Sequence, residues 1–192
     1  MKLTLVEWSL VAASGAALAL GGYLGWRRWR RQVAARALLA RLQAVSVDLV
    51  QAVLVPDASG GQIHCDFVLL TPGGLLVVDL RDVPGVIFGG RHMDEWTVMD
   101  GHQRRTFANP IEPLHDRVAA VKQLAGEAPV EGRIVFTARA RFPKGLPPLV
   151  AMLDALDGAF PPARGHEAEA ERWRDAFLAV KAASRPSPLA RS

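Results

Sequence analysis

The fold of this chain is read from QIHCDFVLL (residues 62–70), TPGG (71–74) and LLVVDLRD (75–82). Two apolar runs of strand length, joined by turn residues, predict two buried strands in a hairpin. Pro72, Gly73 and Gly74 suit the reversal of the chain. With Leu70 facing Leu75, the pairing runs outward so that Asp66 opposes Asp79 and His64 opposes Arg81. Directly opposed side chains on one face have Cβ atoms about 4.5–5.5 Å apart. Two carboxylates that close repel each other, and burial strengthens the repulsion. The pair therefore requires compensation, by a divalent cation or by a shared proton.

Upstream of the hairpin, Gln32–Val45 places Ala35, Leu38, Leu39 and Leu42 at helical spacing, and Asp48–Val55 reads as a strand closed by Pro56. Downstream, Val86–Phe88 predicts a short strand, and Trp96 falls in another within the polar, Gly-punctuated residues 89–106. Asn109-Pro110-Ile111-Glu112 is a helix start, with Asn as the cap, Pro in the first turn and an acid three residues after the cap. Leu114, Val118, Val121 and Ala125 line one face of that helix and Gly126 supplies its stop. Arg133–Ala138 predicts a strand, Leu149–Leu156 a short helix, His166–Ala183 a last helix and Ser184–Ser192 a disordered tail. The order of helix, strand, hairpin, helix, strand and helices predicts an α/β (α+β layered) domain.

A chain of 192 residues, half of them hydrophobic, holds one domain and an appendage. The appendage is WSLVAASGAALALGGYLGW, Trp8–Trp26, which is free of charge and has a tryptophan at each end. That length and those flanks predict a transmembrane helix. Arg27, Arg28, Arg30 and Arg31 follow it, so the positive-inside rule places the rest of the chain in the cytoplasm, as a single-pass protein of the plasma membrane. A cleavable signal peptide would carry its positive charge before the apolar stretch. The expected division is an anchor at 1–31, a cytoplasmic domain at 32–183 and a tail at 184–192. Ala13, Ala17, Gly21 and Gly25, at four-residue spacing, could let two such helices associate as a homo-oligomer. The net charge is +4, and outside the arginine cluster the charges nearly balance, so no broad polyanion-binding surface is visible. The cluster itself suits anionic lipid head groups. Cys65 is the single cysteine, which excludes an internal disulfide and a cysteine-based zinc site.

Asp66 followed thirteen residues later by Asp79-Leu80-Arg81 resembles the Asp…(Asp/Glu)-x-Lys signature of restriction-endonuclease-like nucleases. The longer stretch GQIHCDFVLLTPGGLLVVDLRDVPGVIFGG, then Trp96, then Phe107-Ala108-Asn109-Pro110-Ile111, resembles the nuclease-related domain family, NERD, over roughly residues 30–140. The resemblance implies a restriction-endonuclease-like core. It implies a magnesium site made by Asp66, Asp79 and the Leu80 carbonyl, with Asp66, Asp79 and Arg81 as the catalytic groups. Metal held by two carboxylates would activate water and offset charge in phosphodiester hydrolysis. This chain departs from the family pattern at several points. Asp79 replaces a glutamate, and Arg81 replaces a lysine with a larger planar group. Ala34–Val45 contains no glutamate, Pro113 stands where the family often has glutamine, and Ile63-His64-Cys65-Asp66 interrupts an Ile-Asp-His run.

These departures favour a membrane-anchored, catalytically degenerate nuclease-like module that binds nucleic acid (DNA or RNA) or a protein partner. An active Mg-dependent nuclease and a structural membrane protein are the alternatives. Residue by residue, Asp79–Arg81 also fits an i, i+2 ion pair on an exposed strand end, and His64 fits an ordinary strand histidine. Cys65 fits a small core residue, and Trp96 and Trp173 fit packing residues. His92, His102, His115 and His166 lack metal-like spacing.

Overall fold

The computed structural model describes residues 5–188, with side chains described from residue 21 onward apart from Arg31. The chain divides into two compact units, Met1–Ala40 and Arg41–Ser192. One helix, α1 (Leu5–Val45), runs through the first unit and its last turn belongs to the second. The expected helix at Gln32–Val45 is thus the end of a longer one. The expected membrane segment falls in its first part, where the side chains up to Leu20, Ala13 and Ala17 included, lie outside the described residues. Among the described residues no helix is long and apolar enough to cross a membrane.

The second unit begins with β1 (Asp48–Pro56), β2 (Gln62–Thr71) and β3 (Gly74–Arg81), an antiparallel meander. Leu70 pairs with Leu75 as the hairpin reading expects, and the ladder extends one pair further, to Thr71–Gly74, so only Pro72 and Gly73 form the turn. Then come β4 (Gly85–Phe88), β5 (Glu95–Asp100) and β6 (Gln103–Ala108). Helix α2 (Ile111–Ala125) leads to β7 (Val130–Phe136), which lies parallel to β3. Asn109 starts α2 from just outside it: its side-chain oxygen accepts the Ile111 N–H at 3.0 Å, while its amide donates to the carbonyls of Arg91 and Met93 at 3.2 and 2.8 Å. Gly126 ends α2 with φ 60°, a conformation that favours glycine.

Three expectations fail after β7. Leu149–Leu156 is not a helix. After the two-residue strand β8 (Ala140–Arg141), β9 (Val150–Met152) adds to β7 in parallel, followed by a 3-10 turn at Leu153–Ala155 and the short α3 (Leu156–Ala159). Apolar residues here meet the buried edge of a sheet, and that environment outweighs their helical spacing. The last helix is two, α4 (Glu167–Glu171) and α5 (Arg174–Ala183), parted at Arg172–Trp173. The tail is ordered in part: β10 (Arg185–Pro186) pairs antiparallel with β1, and only residues 189–192 lie outside the described region.

The large sheet has the order β10-β1-β2-β3-β7-β9 and the small one β6-β5-β4-β8. Both are mixed, and the layered α/β expectation holds. On one face of the large sheet, Val68, Val77 and Ile134 pack with Leu114 and Val121 of α2 and Phe177 and Val180 of α5. Gly132 permits the close approach of α2, since a Cβ there would lie 2.6 Å from Val118 Cγ2 and 3.0 Å from Leu114 Cγ. Alternate residues Leu69, Leu76, Val78 and Val135 are equally buried on the other face, as are Leu42 and Val45 in the last turn of α1. Trp96 of β5 ties the sheets together. Its ring stacks on Phe136 of β7 at 6.3 Å and meets Phe107 of β6 at 5.9 Å and Phe142 at 6.4 Å.

Candidate functional site

The β2–β3 ladder follows the expected register as far as Phe67–Val78 and ends there, one pair before Asp66 and Asp79. Asp66 and Asp79 are therefore not a ladder pair, and neither are His64 and Arg81. In place of a backbone acceptor on β2, the Leu80 N–H donates to Asp66 Oδ2 at 2.9 Å. A carboxylate thus closes the gap where two strands part, satisfying a donor that would otherwise be left unmade. Across β2 on the other side, Ala52 of β1 takes φ 49° opposite Asp66, and its carbonyl accepts the Ser187 N–H at 2.8 Å. This brings the chain end to the site. His64 Nδ1 lies 2.8 Å from Ser187 Oγ, and His64 Nε2 lies 3.1 Å from Asp66 Oδ1.

Asp79 is buried, at 2% exposure. Its Oδ2 accepts from Arg81 Nη2 at 2.8 Å and faces Arg117 Nη1 at 3.5 Å. Arg117 comes from α2, one turn after Leu114 and one before Val121, and its Nε donates to the His64 carbonyl at 2.7 Å. Burial pushes the Asp79 carboxyl above the ordinary range, and the Arg81 and Arg117 guanidiniums oppose that push. The expected Asp79–Arg81 ion pair exists, but the acid is interior and not on an exposed strand end. Arg81 Nε and Arg117 Nη1 are buried without a hydrogen-bond partner. The negative charge of Asp79 is met here by two guanidiniums, while Asp66 is held by His64 and the Leu80 N–H.

Of the residues the sequence singles out, the structure joins Asp66, Asp79 and Arg81. Leu80 enters through its N–H. His64, read as an ordinary strand histidine, belongs to the cluster. Arg117 and Ser187 were not singled out. The signal for Arg117 is a cation set into the apolar stripe Leu114, Val118, Val121. Cys65 is fully buried, as expected of a core residue.

Desolvation raises the Cys65 thiol to about 12, with Arg117 lowering it and the two aspartates adding to the rise. An unfolded chain loses this proton near 9 while the folded one keeps it, so the unfolded state binds fewer protons as pH rises between those values. Folding stability from this group is full below pH 9 and falls toward 12. At about pH 10.5 the loss is about 2 kcal/mol. Urea titrations of the wild type and Cys65→Ala across that window should diverge by this amount. Parallel curves would show that the thiol titrates freely.

A magnesium ion demands near-octahedral oxygen ligands. Asp79 Oδ2 already faces two cations, and both Asp66 oxygens are engaged by Leu80 and His64. Among the described residues no group of three or more His, Cys, Asp or Glu side chains could hold a metal ion. A divalent cation placed here would meet two guanidiniums, so this arrangement does not fit one.

No curated protein and no solved structure matches the chain. A family model for the nuclease-related domain, NERD, matches residues 26–137, from α1 to the residue after β7. The match takes in the hairpin, strands β4, β5 and β6 of the small sheet and α2, and with it the layered α/β core is of the restriction-endonuclease-like kind. With more than half of its length matched, the chain belongs to the nuclease-related domain family.

Proposed function

We propose that this protein is a nuclease-like binding module, held at a membrane, in which arginine takes the charge-balancing part that a metal would play in a cleaving relative. One observation carries the reading: Asp79 Oδ2 is occupied by Arg81 and faced by Arg117. A carboxylate held in this way is neutralised in place and accepts from fixed donors. The chain's own groups are then suited to hold a fixed, charge-balanced surface for nucleic acid or a protein partner.

Several features support attachment to a membrane through Trp8–Trp26. Tyr23, Trp26 and Trp29 are more than half exposed, and the Arg30 guanidinium stands 5.1 Å from the Trp26 ring centroid. Interfacial aromatics beside arginines suit the head-group region of a cytoplasmic leaflet. Gly21 and Gly25 have open space at the Cβ position, which suits close approach of a second helix along the stripe from Ala13 and Ala17.

The test is cleavage. Purified protein with supercoiled DNA or with RNA, in Mg²⁺ or Mn²⁺, is expected to give no nicking above that of Asp79→Asn. Nicking that EDTA stops and Asp79→Asn abolishes would overturn the reading in favour of an active Mg-dependent nuclease.

A further inference from the structure

The small sheet turns one face inward and one to solvent. Ile87, Trp96, Val98 and Ala140 are buried on the inner face. On the outward face one cross-strand row, Arg104–Met99–Val86–Arg141, takes one residue from each of the four strands, and a second, Thr106–Thr97–Phe88, takes one from each of three. Residues in register across strands share a face. The first row therefore has an arginine at each edge and apolar side chains between. Both arginines are exposed and neither has an ion pair among the described residues. Beside the row, Phe88 is half-buried on the same face, and the Lys144 ammonium stands 5.8 Å from its ring centroid. The one acid among the outward positions of these strands is Glu95, at the far end of β5. The chain is balanced in charge outside its arginine cluster, yet on this face cations are gathered, and among the described residues none of them has an ion pair.

We propose that this face binds single-stranded nucleic acid, with Phe88 and its apolar neighbours against the bases and Arg104, Arg141 and Lys144 on the phosphates. Strands lie about 4.8 Å apart, so the two arginines stand about 14 Å from each other across three spacings. An apolar strip with a ring, bordered by cations, matches a stacking platform with an electrostatic margin. A duplex turns its bases inward and would leave that strip unused. An acidic peptide would find the cations but no use for the ring. None of these residues belongs to the acid–arginine cluster, so the proposal stands apart from whether that cluster cuts.

The experiment uses the full chain in non-ionic detergent with a fluorescent oligothymidylate of about 12 nucleotides, titrated at several salt concentrations. Three phosphate contacts give a slope of log K against log salt of about −2 on a single strand. Arg104→Gln with Arg141→Gln should weaken binding at least tenfold and reduce the slope to about −0.7. Both positions are exposed, so the thermal midpoint should stay unchanged. An abasic oligonucleotide of equal length should bind at least fivefold more weakly. Unchanged affinity in the double variant overturns the proposal, as does equal competition by duplex DNA, poly-glutamate or the abasic strand. The cleavage assay with Asp79→Asn is read separately, so the failure of one proposal does not mimic the failure of the other.

Discussion

Arg117→Met is expected to destabilise the domain by about 3–5 kcal/mol, the cost of removing one partner from a buried ion pair. The argument starts at Asp79, whose side chain is 3% exposed and has two cations against one oxygen. Arg81 is itself 31% exposed, so it shares its charge with solvent. Arg117, at 17%, is the more enclosed of the two and also supplies the donor for the His64 carbonyl. Methionine preserves the stem volume and removes both services at once. What remains is a buried carboxylate short of one cation and a backbone carbonyl without its donor. Guanidinium denaturation of the single variant measures the loss. The double variant Arg117→Met with Asp79→Leu should recover most of it, because no interior charge is then left uncompensated. A single variant within about 1 kcal/mol of wild type would show that Arg81 alone balances the acid.

Trp96→Ala should cost about 3–5 kcal/mol, the range for emptying a large aromatic site. The indole is fully buried and touches three phenylalanine rings, one from each of β6, β7 and the segment after β8. Its Nε1 also donates to the Gly90 carbonyl at 3.2 Å, which fixes the loop between β4 and β5. Removing the ring therefore opens a cavity where the two sheets meet, and Phe107, Phe136 and Phe142 cannot all close over it. Trp96→Phe keeps most of the packing and loses the donor, so its cost should be about 1–2 kcal/mol. Urea midpoints at a common slope give both numbers. Near-equal losses for alanine and phenylalanine would place the value of this residue in its hydrogen bond and not in its ring.

The hairpin was legible because two constraints agreed. The turn residues fixed where the chain reverses, and the apolar runs fixed which residues face each other. The two aspartates were legible for the same reason, since their presence among leucines and valines demanded an explanation. What answered that demand was not local. Arg117 arrives from α2 and Ser187 from the chain end, and no spacing within residues 62–82 encodes either. The ladder also stops short of the acids, because Asp66 spends its carboxylate on the Leu80 N–H. A register argument assumes that strands stay paired and has no means of seeing where they part. Leu149–Leu156 misled for a different reason. A short apolar run carries helix and strand equally, and the free edge of β7 decided it. The break at Arg172–Trp173 divides a stretch whose acidic start and basic end fit one helix dipole, and dipole arguments do not locate interior breaks.

The large sheet is built on segments as apolar as LLVV, yet its outermost strands are β10, two residues long, and β9, three. Rims this brief are themselves too short for another chain to zip onto along their own length. The longer rim of the small sheet, β6, carries two adjacent arginines, whose like charges would repel a second copy laid alongside. The shape of the margins thus guards a strongly β-prone interior against self-templated aggregation.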